Sequence, residues 1–157
     1  MQPECYSSRR PNSASIGTRA YQLALYVLFE SNLQMMSDNP TLYNMYPDCR
    51  DYIAGCPVNW DETRVLAAEF GQYTVVARRK GSKWYIGGIT NETARDITVK
   101  LDFLTEGKSY RTTSFTDAVN SAKQAMDYRK KEGQTKKGDA LSIHMVRNGG
   151  FAAVLEP

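Results

Sequence analysis

Between Trp60 and Thr90 apolar and polar residues alternate in three short runs separated by two turns. Glu62 to Phe70 alternates around Val65 and Ala67, and Gly71-Gln72 reverses the direction. Tyr73, Val75 and Ala77 fall on one face of a second run, with Thr74, Val76 and Arg78 on the other. Lys80-Gly81-Ser82-Lys83 is a polar turn, and Trp84-Tyr85-Ile86 begins the return. A period of two bounded by glycine turns predicts antiparallel hairpins.

The same rhythm continues downstream. Ile97, Val99 and Leu101 oppose Asp96, Thr98, Lys100 and Asp102, and KSYRTTSFTD follows the Leu104–Gly107 turn. Asp117 to Gln134 is polar and reads as irregular. Leu141, Ile143 and Met145 alternate with Ser142, His144 and Val146, and Asn148-Gly149-Gly150 predicts a hairpin into FAAVLEP. The pattern predicts a mainly β fold, an antiparallel β-sandwich of about eight strands over residues 59–157.

Upstream the period changes. Residues 1–15 have none and read as a loop or disordered lead-in. Ile16, Ala20, Leu23, Ala24, Val27 and Leu28 keep helical spacing, predicting a helix of about four turns. Leu25, Tyr26 and Phe29 make it apolar on most of its circumference, which calls for burial on more than one side. Asn39-Pro40 is a helix start, and TLYNMY and PDCRDYIAG supply two short helical turns, the second ending at Gly55. Residues 16–58 thus form a helical section before the sandwich.

Composition narrows the function. The net charge is only +3, and the basic runs Arg78-Arg79-Lys80 and Arg129-Lys130-Lys131 sit beside predicted turns or strand ends. They read as solvated turns, so no nucleic acid partner is expected. No apolar run reaches the roughly 20 residues of a membrane span. The first residues, MQPECYSSRRPNSAS, have no apolar h-region, so no signal peptide is expected as written. Cys5, Cys49 and Cys56 have no CxxC spacing, and Cys49 and Cys56 would lie two helical turns apart, too far for a bridge. With His144 as the single histidine, a zinc site is not expected.

Candidate chemistry is sparse. Asp61 and Glu62 are the most suggestive carboxylates, but adjacent strand residues point to opposite faces and cannot converge on one bond. Asp61 reads as a turn or capping residue. Tyr43, Tyr46, Tyr52 and Trp60 read as packing between a helix pair and a sheet before a sugar platform. Trp84 and Tyr85 face opposite sides, so one of them is core. Asn91-Glu92-Thr93 fits the glycosylation sequon and reads as a turn, and His144 falls on a polar face. Trp60, Asp61 and Trp84 remain as candidates for contact with a sugar or a protein interface; no residue is assigned to catalysis or metal ligation.

Several segments together carry a family resemblance. GTRAYQLALYVLFESNLQMMSD, NWDETRVL, YTVVARRKGSKWYIGGIT, the FLTEG before Lys108 and the terminal NGGFAAVLEP resemble, in order and spacing, the C-terminal part of glycoside hydrolase family 97. These are bacterial, especially Bacteroides-type, α-glucosidases and α-galactosidases. Tyr21 stands where the family pattern carries histidine, and Asn32 where it carries proline.

The resemblance implies an N-terminal β-super-sandwich, a central (β/α)₈ barrel and a C-terminal β-sandwich. The general acid, the base or nucleophile and the calcium-binding glutamates belong to the first two, upstream of Met1. A barrel takes about 250 residues, so the Gly17–Asp38 helix and the short turns after it are expected to be the end of one. The expectation is a C-terminal fragment of an exo-acting α-glucosidase or α-galactosidase, inactive alone and without a cofactor of its own, calcium belonging to the intact parent. Its expected partners are the missing barrel and N-terminal domain, and a second copy through the exposed helix. The parent would act on α-linked oligosaccharides and, like its relatives, be periplasmic. The competing reading is a stand-alone carbohydrate-binding or self-association module.

Overall fold

The computed structural model describes residues 16–36 and 38–157. The lead-in expected over 1–15, with Cys5, lies outside the described residues. Among the described residues three helices come first: α1 (Arg19–Leu28), α2 (Pro40–Asn44) and α3 (Pro47–Gly55). Eight strands follow: β1 (Glu62–Glu69), β2 (Tyr73–Lys80), β3 (Lys83–Thr90), β4 (Arg95–Lys100), β5 (Ser109–Asp117), β6 (Tyr128–Lys136), β7 (Ala140–Met145) and β8 (Gly150–Glu156). Six form one sheet in the order β1-β2-β3-β8-β5-β6, and β4 pairs with β7 in a second. Every pairing is antiparallel.

The large sheet is covered on both faces. Against the β4–β7 ribbon it turns Val75, Ala77, Trp84, Ile86, Phe151 and Leu155, which meet Val99, Ile143 and Met145. On the opposite face Tyr85, Phe115 and Ala152 pack with Leu23 and Val27 of α1 and with Cys49 and Tyr52 of α3. Two-sided burial explains a finding that differs from the sequence expectation. Trp84 is 4% exposed and Tyr85 is 5% exposed, so both rings are core, each on its own side.

Helix α1 lies close against the sheet because β3 offers it a side chain of no size. A Cβ on Gly87 would stand 2.8 Å from the carbonyl oxygen of Ala24 and 2.9 Å from Cβ of Val27. Ala20, Leu23, Ala24 and Val27 are accordingly buried in this chain's own core, so the face expected to lie exposed is roofed by the sheet. The helix is also shorter than its periodicity suggested. Thr18 caps its start by accepting from the Tyr21 amide at 3.1 Å. Past Leu28, Ser31 Oγ accepts from the Leu33 amide at 3.3 Å and donates to the Leu33 carbonyl at 2.7 Å. That local side-chain bonding competes with another helical turn. Asn39 and Pro40 start α2 as expected, Asn39 Oδ1 accepting from Leu42 N at 3.0 Å.

Three further differences have local causes. Register shifts between Val65 and Ala67 in β1, so Leu66 and Ala67 pack on the core while Val65 faces solvent; a bulge resets the alternation there. Within the Asp117–Gln134 stretch expected to be irregular, edge strand β6 begins at Tyr128 and runs on to Lys136, paired with β5 from Ser109↔Lys136 to Asp117↔Tyr128. Most of its side chains are exposed, so it carries charge where a core strand would alternate. Asn148-Gly149 is no hairpin: β7 and β8 belong to different sheets, and the turn, with Asn148 at φ 51°, carries the chain between them.

Candidate functional site

Trp60 precedes β1 and packs edge-on against Tyr85, centroids 5.2 Å apart. The guanidinium of Arg78 lies 5.8 Å from its ring centre. Tyr52 is likewise edge-on to Phe115 at 5.2 Å, and Tyr46 joins the same cluster. The aromatic group around Trp60 is therefore packing between helices and sheet. Trp84 sits on the other side of the sheet, 4.6 Å from the Phe103 ring, with Arg64 and Arg79 near 6 Å (5.9 and 6.0 Å) from its centre. Neither tryptophan presents an open platform to a sugar ring, and the fold places them on opposite faces of one sheet.

Asp61 is exposed and spent on a turn. Its Oδ2 accepts from Gly81 N at 2.7 Å and its Oδ1 from Lys80 Nζ at 3.2 Å. The Gly81 amide first, then the Lys80 ammonium, hold its carboxyl below the usual range. Glu62 is likewise lowered, by Arg64 and then Arg79, at 2.6 and 3.1 Å. Glu156 is held down by Lys83 and then Arg111, both of which ion-pair with it. Burial pushes the Cys49 thiol up and the Cys56 thiol up to about 12, so both stay protonated and un-nucleophilic. His144 lies on the surface, its Nδ1 2.6 Å from Asp96 Oδ1.

Asp117 is the carboxylate that sequence reading passed over. It is buried and accepts from the amides of Val146 and Gly150, each at 3.0 Å. Burial raises its carboxyl above the ordinary value, against the pull of Thr18 and those two amides. It fixes the β7–β8 crossover, a role in the fold. Its position in a polar run at a strand end, TDAVNS, gave no periodic signal.

A shallow groove of about 530 Å³ runs beside the β1–β2 turn, lined among others by Tyr21, Phe70, Tyr73, Gln72 and Asn91. The side chains of Gln72 and Asn91 are engaged in local hydrogen bonds. Gln72 Oε1 and Asn91 Oδ1 accept from Arg95 at 2.6 and 2.7 Å, and Asn91 Nδ2 donates to the Gly71 carbonyl at 3.1 Å. The Asn91 side chain is thus part of the turn expected there. Tyr21, one of the two departures from the family pattern, forms part of the groove's wall. Among the described residues no group of three or more His, Cys, Asp or Glu is placed to hold a metal ion. No described helix is long and apolar enough to cross a membrane.

What the surface does offer is apolar. Leu33 is 75% and Met35 79% exposed in the extended stretch after α1, with Phe29, Met36 and Met45 also exposed. Comparison with known proteins gives this surface a context. The model of the glycosyl-hydrolase 97 C-terminal, oligomerisation domain matches residues 59–156. The chain belongs to glycoside hydrolase family 97. It is 46% identical over 148 residues to a retaining alpha-galactosidase of Bacteroides thetaiotaomicron, covering 94% of this chain and 22% of that enzyme. It is 35% identical over 147 residues to a probable retaining alpha-galactosidase of Streptomyces bingchenggensis, covering 93% and 21%. A solved family 97 enzyme from Pseudoalteromonas sp. strain K8, in complex with acarbose, superposes with a TM-score of 0.85 at 33% identity, over 89% of this chain and 22% of that one. The chain therefore spans about a fifth of the length of these relatives, and its residues 59–156 are the part that matches the C-terminal, oligomerisation domain of the family.

Proposed function

We propose that this chain is the brace and association module of a family 97 retaining α-galactosidase, whose reacting groups and calcium are carried by the rest of the enzyme. The observation that carries the reading is a pairing of two numbers: 46% identity over 94% of this chain, against 22% of the Bacteroides thetaiotaomicron enzyme's length. The chemistry of the domain agrees with it. Asp61, Glu62 and Glu156 are engaged in ion pairs, and Asp117 in a backbone turn. Residues 16–58 are the end of the barrel carried over with the sandwich, α1 serving both. Leu33, Met35 and Met36 then form the apolar patch that the barrel covers; patches of this kind mark interaction sites. Substrates of the parent are α-linked galactosides.

The test is complementation. A separately expressed N-terminal domain and barrel from a family 97 α-galactosidase, lacking this region, is mixed with the chain and assayed with aryl α-galactosides and calcium. Hydrolysis in the mixture, and none by the chain alone, is the expected result. A silent mixture, with the folded chain binding galacto-oligosaccharides by itself, would replace this reading with a carbohydrate-binding module. Turnover by the chain alone would refute its non-catalytic role.

A further inference from the structure

The start of α1 takes its hydrogen-bond acceptors from the sandwich. A helix leaves its first N–H groups without an intrahelical partner. Here Thr18 N donates to the Asn148 carbonyl at 3.1 Å and Arg19 N to the Ala125 carbonyl at 2.7 Å. Asn148 lies in the β7–β8 crossover and Ala125 in the β5–β6 connection. The crossover is tied down on its other side as well. Asn148 N donates to the Asn91 carbonyl at 2.8 Å, Thr90 N donates to the Gly149 carbonyl at 3.1 Å, and Asp117 holds the amides of Val146 and Gly150. The contact with α1 leaves no slack. A Cβ on Gly150 would run into the backbone of Tyr21, and one on Gly17 would stand 2.8 Å from Cγ of Tyr21 and 3.2 Å from the Asn148 carbonyl oxygen. Gly17 leads the chain into the helix at φ 108°, a conformation that residues with side chains rarely adopt.

We propose that Asp117, through the β7–β8 crossover, is a positioning residue for the parent's hydrolysis, setting the loop that leads into the last barrel helix. The inference rests on the reading above, in which α1 is that helix. In a (β/α)₈ barrel the segment entering each helix is a βα loop, and these loops build the catalytic face. The segment entering α1 is then the last of them. Its path at Gly17 is fixed by the Asn148 carbonyl and the seat of Tyr21 on Gly150, groups that the sandwich supplies. Asp117 is not a catalytic residue; it acts on the reaction by holding the crossover that holds the loop. Such support matters because a misplacement of about 1 Å at the reacting groups can cost about a hundredfold in rate.

The experiment assembles the chain with the separately expressed N-terminal domain and barrel, and measures kcat and KM for an aryl α-galactoside with calcium. Asp117→Ala frees the crossover and Gly17→Ala redirects the entry to α1. Each is expected to lower kcat by about tenfold or more with KM within about threefold, the mark of misplaced reacting groups. Asp117→Asn keeps an acceptor for both amides and is expected to restore the wild-type kcat. Val99→Ala, a truncation in the core under the β4–β7 ribbon, is the stability control: it lowers the melting temperature and leaves kcat unchanged. In the chain by itself, ¹⁵N NMR is expected to show the Thr18 and Arg19 amide signals moved by Asp117→Ala and in place in Asp117→Asn. Gly17→Ala keeps the kinetic test open should Asp117→Ala not fold. Full kcat in the Asp117→Ala and Gly17→Ala variants, an equal loss in Val99→Ala, or Thr18 and Arg19 signals that Asp117→Ala does not move overturns the proposal. A mixture silent with the wild-type chain is a different failure, which removes the α-galactosidase reading and this inference with it.

Discussion

The hydroxyl of Tyr128, in edge strand β6, donates to both carboxylate oxygens of Asp48 in α3 at 2.8 Å each. The guanidinium of Arg19, in α1, lies 5.3 Å from the same tyrosine ring and 3.9 Å from that of Tyr46. One cluster therefore binds two helices to the far edge of the sheet. Tyr128→Phe should lower stability by about 1 kcal/mol, the scale of one partly exposed hydrogen bond to a charged acceptor. Urea unfolding followed by far-ultraviolet circular dichroism and by tryptophan fluorescence should keep a single, coincident transition. Two separated transitions would mean that the helices and the sheet unfold as separate units.

The close seat of α1 makes Gly87 sensitive to a single methyl group. Gly87→Ala places a carbon against the Ala24 carbonyl and Val27 and should cost about 1–3 kcal/mol, the usual range for overpacking. Gly133, with open space around it, is the control: Gly133→Ala should leave the urea midpoint nearly unchanged.

Asp117 yields a prediction with a sign. Its carboxyl is raised above 3.8, chiefly by burial, so the native state favours the protonated form. The resulting contribution to stability is fully present below pH 3.8 and is lost as pH rises through the higher native value. Asp117→Asn keeps an acceptor for Val146 and Gly150 without the buried charge. It should melt above the wild-type chain at pH 7, and the gap should close below pH 3.8. Asp117→Ala should melt lower at every pH, because two amides lose their acceptor, at about 1–3 kcal/mol for a buried unpaired group.

The apolar stretch after α1 separates folding from assembly. Leu33→Asp combined with Met35→Asp changes side chains that are already in water, so the melting temperature of the isolated chain should hold within a degree or two, as expected for surface changes of about 0.5 kcal/mol. Complementation of the truncated α-galactosidase should be lost. Retained activity in the mixture would remove this stretch from the proposed seam.

Much of the fold was legible because its strands obey one simple rule. Ile97 and Val99, and again Leu141, Ile143 and Met145, belong to a ribbon with one wet face, and such strands alternate. The rule fails where a strand has two dry faces or none. Trp84 and Tyr85 are buried on opposite sides because helices roof the sheet, a fact set by residues some 60 positions upstream (Leu23 and Tyr85 lie in one cluster). β6 has too little cover to leave an apolar signature, and Val65 is turned outward by a bulge that no period reveals. Of the candidate site, Trp60, Asp61 and Trp84 were visible as residue types. Their fates, packing, turn closure and core, depend on neighbours such as Gly81, Phe103 and Arg78, which only the folded chain brings near.

The order of strands in the large sheet has a consequence for how the chain is made. β8 lies between β3 and β5, pairing with both, and nothing earlier in the chain can take its place. During synthesis β1, β2 and β3 can pair as they emerge, and β5 with β6, but the two halves share no hydrogen-bonded seam until residues 150–156 have left the ribosome. Until then β3 and β5 each present an open edge, the condition in which nascent β proteins pair wrongly or attract chaperones. A premature stop only a few codons before Gly150 would therefore leave two half-sheets and no domain, however complete the remainder of the sequence.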